Sequence, residues 1–373
     1  MVISTLFVLA ASCTGSRPAQ APGLATSTPS VSARPSAPPS PVVLDRLVLT
    51  ADLSEKPARW RKVLFVPFGS RRAELGFKLF HESTNSQPSS FAVAPDGSFW
   101  IADRWKERIA RYSDAGKFLG AIPVPEPPAA MSVGTSHERI RDVVLSGNAM
   151  YALMEPTGGP IVRVDPSDST PYGRPQLQNR DLWVAEVFPS PRSLLMLVAG
   201  FVNPEDGSVD DGPLGVFGWD GSGPPEPLPG IPADQGTWVD LKSVASPSEG
   251  DQDFELRHIG PESASVQPIH VEVRTQAAGG RSLVAEVGPG EFISSGGDLL
   301  MFVMLTPARP TDARRYGGGR WLLRLGRSPV LWERLPDPGI ADEPQKRHIS
   351  LGPDGSIYLM VAEKRGVVIL RRP

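Results

Sequence analysis

Apolar and polar residues alternate with a period of two along Pro88–Gly120, PSSFAVAPDGSFWIADRWKERIARYSDAGKFLG. Phe91 with Val93 and Phe99 with Ile101 are the positions that a half-buried strand turns to one face. Between the two runs stands Asp96-Gly97. Gly takes positive φ without steric cost and Asp tolerates it better than most residues, so a two-residue hairpin turn is expected there. A polar turn follows at Asp103–Arg108, then the run Ile109–Tyr112, a turn at Ser113–Gly116 and a last run, Lys117–Gly120. No segment inside this stretch has the helical period. A shorter copy, ISLGPDGSIYLMVAEKRGVVILRR, occupies Ile349–Arg372, with Asp354-Gly355 at its first turn. Each copy predicts an antiparallel meander of strands joined by tight turns, and recurrence of such a unit sets the whole fold.

Weaker turn points in similar settings lie between the copies. They are Gly147-Asn148, Arg192-Ser193, Gly250-Asp251 and Gly296-Gly297, each ahead of a mostly apolar run. With Gly97 and Gly355 they make six turns at steps of roughly 45 to 58 residues, near or somewhat above the spacing of propeller blades. The residues after Gly355 suffice for two strands, Ile357–Val361 and Gly366–Leu370, which with His348–Leu351 make three. A fourth strand must come from elsewhere or leave an open edge. Asp45–Thr50 and Lys62–Phe68 are the candidates, and one of them is expected to close the last blade.

The stretch Pro88–Gly120 resembles an NHL repeat, the blade of one class of β-propellers. The likeness lies in Pro88, Phe91-Ala92-Val93, Asp96-Gly97, Ile101-Ala102-Asp103, Arg108-Ile109 and Asp114-Ala115-Gly116. Lys106 stands where that family usually carries Asn. The resemblance implies an all-β chain, a six-bladed β-propeller of four-stranded antiparallel blades whose last blade is closed by an N-terminal strand.

Composition adds location. The chain is 373 residues long with a net charge of −3, so nothing basic enough to grip a nucleic-acid backbone is present. Its Pro and Gly counts, 41 and 37, suit a turn-rich all-β protein. Val2–Ala11 is apolar but far short of a bilayer span, and reads as the core of a signal peptide. Leu9-Ala10-Ala11-Ser12 precedes Cys13, the single cysteine. Small residues before a Cys at the end of an apolar run resemble a bacterial lipobox, which implies residues 1–13 as a signal and Cys13 as the lipid attachment site. Residues 14–41 are dominated by Pro, Ser, Ala and Thr and cannot bury enough surface to offset ordering their backbone. They predict a semi-extended tether of about 3.1 Å per residue, with the propeller domain spanning residues 42–373.

The catalytic patterns sought are absent: no Gly-x-Ser-x-Gly elbow, no His-Glu-x-x-His pair, no phosphate loop. His81, His137, His258, His270 and His348 have no metal-ligand spacing, and one Cys makes no thiolate cluster. The acidic loop Asp206–Gly212 lacks the alternating ligands of a calcium loop and reads as a solvated turn. Asp251, Asp253 and Glu255 alternate along a strand and share one face. Asp103, Glu155 and Glu363 close second strands, away from the channel, and Asp103 is expected to pair with Arg108. Trp105 sits in a turn and is expected to be exposed.

The innermost strands are expected at Ser89–Val93, Arg139–Val144, Asp181–Val187, Trp238–Ser243, Glu291–Ser294 and His348–Leu351. They bring Arg141, Asp142, Trp183, Trp238, Asp240, Glu291 and His348 to the channel mouth, a mixed rim suited to a protein, peptide or carbohydrate. Trp183 and Trp238 could equally pack between blades. The reading is a monomeric, membrane-anchored binding or scaffold module at the bacterial cell envelope, with no cofactor or metal. The alternative is a lactonase or sugar hydrolase with a divalent metal in the channel, which needs at least three ligands converging from different inner strands.

Overall fold

The computed structural model describes residues 46–52, 56–78, 87–124, 140–146, 149–154, 161–164, 171–173, 175–188, 194–202, 209–210, 212, 215–220, 223–228, 231–232, 238–244, 252–259, 266–276, 283–287, 293–295, 298–307, 319–325, 331–336 and 349–372. Chain contacts separate Met1–Ser40 from Pro41–Pro373, and every described residue belongs to the second unit.

All regular structure among the described residues is β. The chain begins with β1 (Arg46–Asp52) and β2 (Arg61–Pro67). There follow β3 (Ser90–Val93), β4 (Phe99–Asp103), β5 (Arg108–Tyr112) and β6 (Phe118–Pro123). Next come β7 (Ile140–Ser146), β8 (Ala149–Met154), β9 (Ile161–Val164) and β10 (Pro171–Gly173). The third group is β11 (Gln176–Leu177), β12 (Arg180–Phe188), β13 (Leu194–Val202), β14 (Val209–Asp210), β15 (Gly215–Trp219) and β16 (Glu226–Leu228). The fourth is β17 (Ile231–Pro232), β18 (Trp238–Val244), β19 (Gln252–Ile259) and β20 (Val266–Gln276). The fifth is β21 (Leu283–Val287), β22 (Ile293–Ser295), β23 (Asp298–Pro307), β24 (Gly319–Leu325) and β25 (Leu331–Arg334). The chain ends in β26 (Ile349–Leu351), β27 (Ile357–Glu363) and β28 (Gly366–Arg372).

These strands form six sheets, and all six turn points read from the sequence fall between consecutive paired strands. Three sheets have four strands, β3-β4-β5-β6, β10-β9-β8-β7 and β2-β28-β27-β26; the others carry extra short strands or an added edge. Pairing is antiparallel except that β1 lies parallel to β20, with Arg46 opposite His270 and Asp52 opposite Gln276. The two N-terminal candidates therefore part company. Residues 61–67 complete the C-terminal sheet as β2 against β28, while β1 becomes the outer strand of β17–β20.

The Asp-Gly turns differ from expectation in one detail. Ala94 N–H donates to Ser98 O at 2.8 Å and Gly97 N–H to Ala94 O at 2.9 Å, which closes a three-residue loop, Pro95-Asp96-Gly97. Only Gly97, at φ 79°, takes the left-handed conformation. Pro95 pre-sets the φ of the first turn position, so the chain makes a type I turn followed by a left-handed Gly. Gly352–Ser356 repeats this hydrogen bonding, with Gly355 at φ 75°.

Side chains between sheets make continuous cores. In β2, Leu64 and Val66 turn inward while Phe65 turns out, the alternation of a strand with one buried face. Leu64 and Val66 pack with Phe91, Ile101 and Tyr112 of one sheet and Met360, Val367 and Ile369 of the other. Trp100, Ile109, Ile140 and Met154 join β3–β6 to β7–β10, and Leu153, Ile161, Leu182 and Met196 join β7–β10 to the next sheet. Leu300, Leu322 and Leu359 join β21–β25 to β26–β28. One strand from each of five sheets runs beside the next in the succession β22, β26, β3, β7, β12. Trp332 Nε1 of β25 donates to Thr50 O of β1 at 2.9 Å, tying the fifth sheet to the edge of the fourth. Leu64→Ala leaves a cavity in the seam between the first and last sheets. We expect a loss of about 2–5 kcal/mol in urea unfolding, against almost none for Phe65→Ala on the exposed side.

Candidate functional site

Antiparallel pairing sets which residues share an end of a sheet. Ser90 lies opposite Ala102 and Asp103 opposite Arg108, so the start of β3 and the β4–β5 turn occupy one end. The start of β7 joins them there. Ser89 Oγ donates to Ile140 O at 3.5 Å, and Ser90 Oγ donates to Asp142 Oδ1 at 2.5 Å. Val143 N–H reaches both Asp142 Oδ1, at 2.7 Å, and Ser90 Oγ, at 3.1 Å. Asp142, which follows the register shift in the β7–β8 pairing, is 4 % exposed, with its carboxylate on Ser90 and Val143. It serves as a bridge between two first strands, not as a rim residue open to solvent.

Arg141, beside it, is half-buried, and so is Trp183 on β12, the strand next to β7. Trp238 and Asp240 lie on β18, opposite Ile259 and Arg257, and a two-residue strand, β17, lies beyond β18. β11 lies beyond β12 in the same way. Glu291, His348 and Cys13 fall outside the described residues, since β22 starts at Ile293 and β26 at Ile349. Of the seven expected rim residues, the structure thus brings Arg141 and Asp142 against β3 and sets Trp183 on the neighbouring strand.

The densest polar arrangement at this end was not anticipated. The chain leaving β2 makes a compact loop, with Gly69 N–H bonded to Leu75 O and Leu75 N–H to Pro67 O. Four consecutive carbonyls of that loop face donors from the β4–β5 region. Lys106 Nζ donates to Arg71 O at 2.8 Å and to Glu74 O at 2.7 Å. Arg108 donates to Arg72 O at 2.8 Å and to Glu74 O at 2.5 Å. Tyr112 Oη donates to Ala73 O at 3.1 Å. Gly76 N–H donates to Asp103 Oδ1 at 2.9 Å, and Arg108 Nε holds Asp103 Oδ2 at 2.8 Å, the local pair expected from the sequence. Lys106 thus spends its reach on the loop. Trp105 is half-buried, not exposed, because Gly76 packs on it: a Cβ at Gly76 would lie 2.7 Å from Trp105 Cβ.

Electrostatics follow from this burial. Asp103 is 0 % exposed, and burial pushes its carboxyl above the ordinary range against the pull of Arg108, the Gly76 N–H and Lys106. Burial lowers Lys106, and the like charge of Arg108 adds to it. Burial also raises Tyr112, so its hydroxyl stays a donor.

At the other end of the same sheets, one turn device occurs twice. Asp96 accepts from the N–H and Oγ of Ser98 and from Arg111, whose guanidinium lies 4.8 Å from the Trp100 ring. Asp354 accepts from the N–H and Oγ of Ser356 and from Arg371, 5.8 Å from the Tyr358 ring. The Ser98 hydroxyl and N–H, and then Arg111, hold Asp96 below the usual carboxylate range; the Ser356 N–H and hydroxyl, and then Arg371, do so for Asp354. The acidic loop at Asp206–Gly212 is described only in part, and there Asp210 pairs with Arg180 at 2.7 Å. Among the described residues, no three His, Cys, Asp or Glu gather closely enough to hold a metal ion.

The profile of a domain of unknown function (DUF7485) matches residues 58–135, which include β2, the gripped loop and the sheet β3–β6. No curated protein matches. The similar solved structures include these three. A member of the DUF4221 family from Bacteroides vulgatus is 8 % identical over 85 % of this chain and 97 % of its own, with a TM-score of 0.43. A virginiamycin B lyase from Staphylococcus aureus is 13 % identical over 77 % and 95 %, with a TM-score of 0.37. A glucose dehydrogenase is 16 % identical over 77 % and 96 %, with a TM-score of 0.36. These proteins are β-propeller-like. At such scores the fold rests on the strand pairings of this chain itself.

Two tests follow from the site. Gly76→Ala forces the loop off Trp105 and should cost about 1–3 kcal/mol, with faster tryptic cleavage after Arg71 and Arg72 than in the wild type. The second concerns the repeated turn. Each Asp has a depressed folded pKa, so its contribution is complete above the ordinary carboxylate value of about 3.9 and is lost as pH falls through the folded value. Both carboxylates are about half exposed, 55 % and 49 %, which limits each to under about 1 kcal/mol. Asp96→Asn/Asp354→Asn should therefore be less stable than wild type at neutral pH. That difference should shrink toward about pH 3, as read by urea midpoints at both values.

Proposed function

We propose that the six sheets close into a six-bladed β-propeller that acts as a binding or scaffold module at the bacterial cell envelope, held to the membrane through a lipidated Cys13 and a tether over residues 14–41. The observation that carries the propeller is the succession β22, β26, β3, β7 and β12, one strand from each of five sheets packed beside the next. That is the arrangement a blade series requires, with β17–β20 as the remaining blade and the Trp332–Thr50 bond at its edge. β2 against β28 supplies the closing strand.

The binding face is the end where first strands start. Arg141 and Trp183 stand there, and the gripped loop lies at the same end of the first sheet. Trp238, Asp240, Glu291 and His348 belong to the same face in this reading. A protein, peptide or carbohydrate is the partner class. Metal-dependent hydrolysis would need acids from several first strands aimed at one point, and Asp142 instead directs its carboxylate to Ser90 and Val143.

The anchor and the face are tested apart. Cys13→Ser should move the protein from the membrane to the soluble fraction; unchanged fractionation removes the anchor. A photo-crosslinker placed at Trp183 should yield a discrete adduct in envelope extracts, while one at Asp354, on the opposite end, should yield none. Equal labelling from both ends would remove the assigned face.

A further inference from the structure

The loop that follows β2 has a charge arrangement that its structural role does not require. Its exposed residues are Gly69, Ser70, Arg71, Arg72, Ala73 and Lys78. The side chain of Arg71 is 86 % exposed. Glu74, the loop's acid, is turned back on the loop: its Oε2 accepts the Arg71 N–H at 2.8 Å and lies against Gly69. The four carbonyls of residues 71–74 all point inward to Lys106, Arg108 and Tyr112. The negative ends of these peptide dipoles are thus directed into the protein, and the exposed charged residues of the loop are Arg71, Arg72 and Lys78, with the half-buried Glu74 carboxylate 3.9 Å from the Arg71 guanidinium. Below it stand Lys106 and Arg108, like charges close enough to disfavour one another, with Asp103 fully buried. Lys78 lies 4.5 Å from the ring of Trp105, a Trp partly open at the same place. This positive face belongs to a chain whose net charge is −3, so the charge is segregated and not a general basicity.

From this arrangement we infer that the loop face of Arg71, Arg72 and Lys78 docks on an anionic phospholipid surface. Three features of the chain select that occupant. The cations are exposed residues of one short loop, the Arg71 side chain 86 % exposed, where a flat array of phosphates can meet them. Arg guanidinium groups pair with phosphate oxygens in two parallel hydrogen bonds, and each cation near an anionic bilayer adds attraction. The third feature rests on the anchored reading above: a tether of about 28 residues at about 3.1 Å each ends within reach of the bilayer and multiplies a weak contact through effective concentration. Docking would hold the propeller against the membrane instead of letting it swing on its tether.

The experiment uses the full chain carrying Cys13→Ser, so that lipid attachment plays no part. Co-sedimentation is measured with vesicles of phosphatidylcholine alone and with about 30 % phosphatidylglycerol added. Binding is expected to the anionic vesicles only, and to fall steeply between low salt and physiological salt as charges are screened. Arg71→Gln/Arg72→Gln/Lys78→Gln should weaken it about 10-fold or more with little change in melting temperature, since all three residues are exposed and their contacts to Glu74, Phe118 and Trp105 are surface contacts. Arg111→Gln, at the opposite end, should leave it unaltered. No partition to anionic vesicles, or equal partition by the triple variant, overturns the inference. So does equal or tighter binding to polyglutamate or to an acidic polysaccharide, which assigns the face to a different polyanion. If the Cys13→Ser chain binds anionic vesicles while native Cys13 carries no lipid, the docking face stands and the anchor falls; the reverse outcome separates them the other way.

Discussion

The C-terminal sheet has only three strands from its own end of the chain, and its outer edge is closed by seven residues that precede all but one of the other strands. Pairing of β2 with β28 is the constraint on which the rest of the described structure depends. Of the described strand pairings it has the longest sequence separation, so its loop-closure entropy is large and must be offset by what it buries. Leu64 and Val66 supply that burial in a seam where the first and last sheets share one core. The same pairing fixes the next segment. Phe68 N–H bonds Arg365 O, which sets the chain's direction as it leaves β2 and delivers residues 71–76 onto the β4–β5 turn. The N-terminal segment thus touches four sheets in succession: β20 through β1, β25 through the Ala58 N–H to Arg334 O, β28 through β2, and β4–β5 through the gripped loop.

Much of this was legible in the sequence, and for identifiable reasons. Period-two runs around Asp-Gly turns gave the strands of the first and last sheets, because local backbone chemistry decides both. The three-residue turn could have been read as well. Pro95 and Pro353 fix the first turn position at negative φ, which a type I′ turn does not allow, and a two-residue reading ignores them. Asp103 with Arg108 was legible because the partners lie five residues apart across one turn. The fate of Arg46–Asp52 was not: a strand that adds in parallel to the edge of β20 bears no mark of its partner in its own sequence.

The site was less legible than the fold. Backbone carbonyls have no sequence signature, so nothing along the chain announces that Lys106, Arg108 and Tyr112 converge on residues 71–74. Lys106 looked like the loss of an Asn contact. In the structure it is a gain, since a four-carbon stem crosses to a loop that an Asn at that position would not reach. Asp142 shows the opposite error. Its place at the start of an inner strand suggested a rim residue, yet beside a register shift in β7 its carboxylate turns into the protein, where it binds Ser90 across the boundary between sheets.

Burying Asp103 carries a cost that its elevated pKa records, and the arrangement makes sense only with its neighbours. A carboxylate shielded from water favours protonation unless donors offset the lost hydration, and here Arg108, the Gly76 N–H and the nearby Lys106 do so in part. Those two cations are therefore held by one buried acid and by three carbonyl oxygens, of Arg71, Arg72 and Glu74, while Tyr112 takes the fourth, of Ala73. A network anchored on carbonyls keeps its geometry when exposed side chains of the loop change, because backbone acceptors stay in place whatever residue bears them. The loop can then vary its outward chemistry without losing its seat. Its present outward chemistry is Arg71, Arg72 and Lys78, so a rigid seat and a cationic surface arise from two separable parts of the same eight residues.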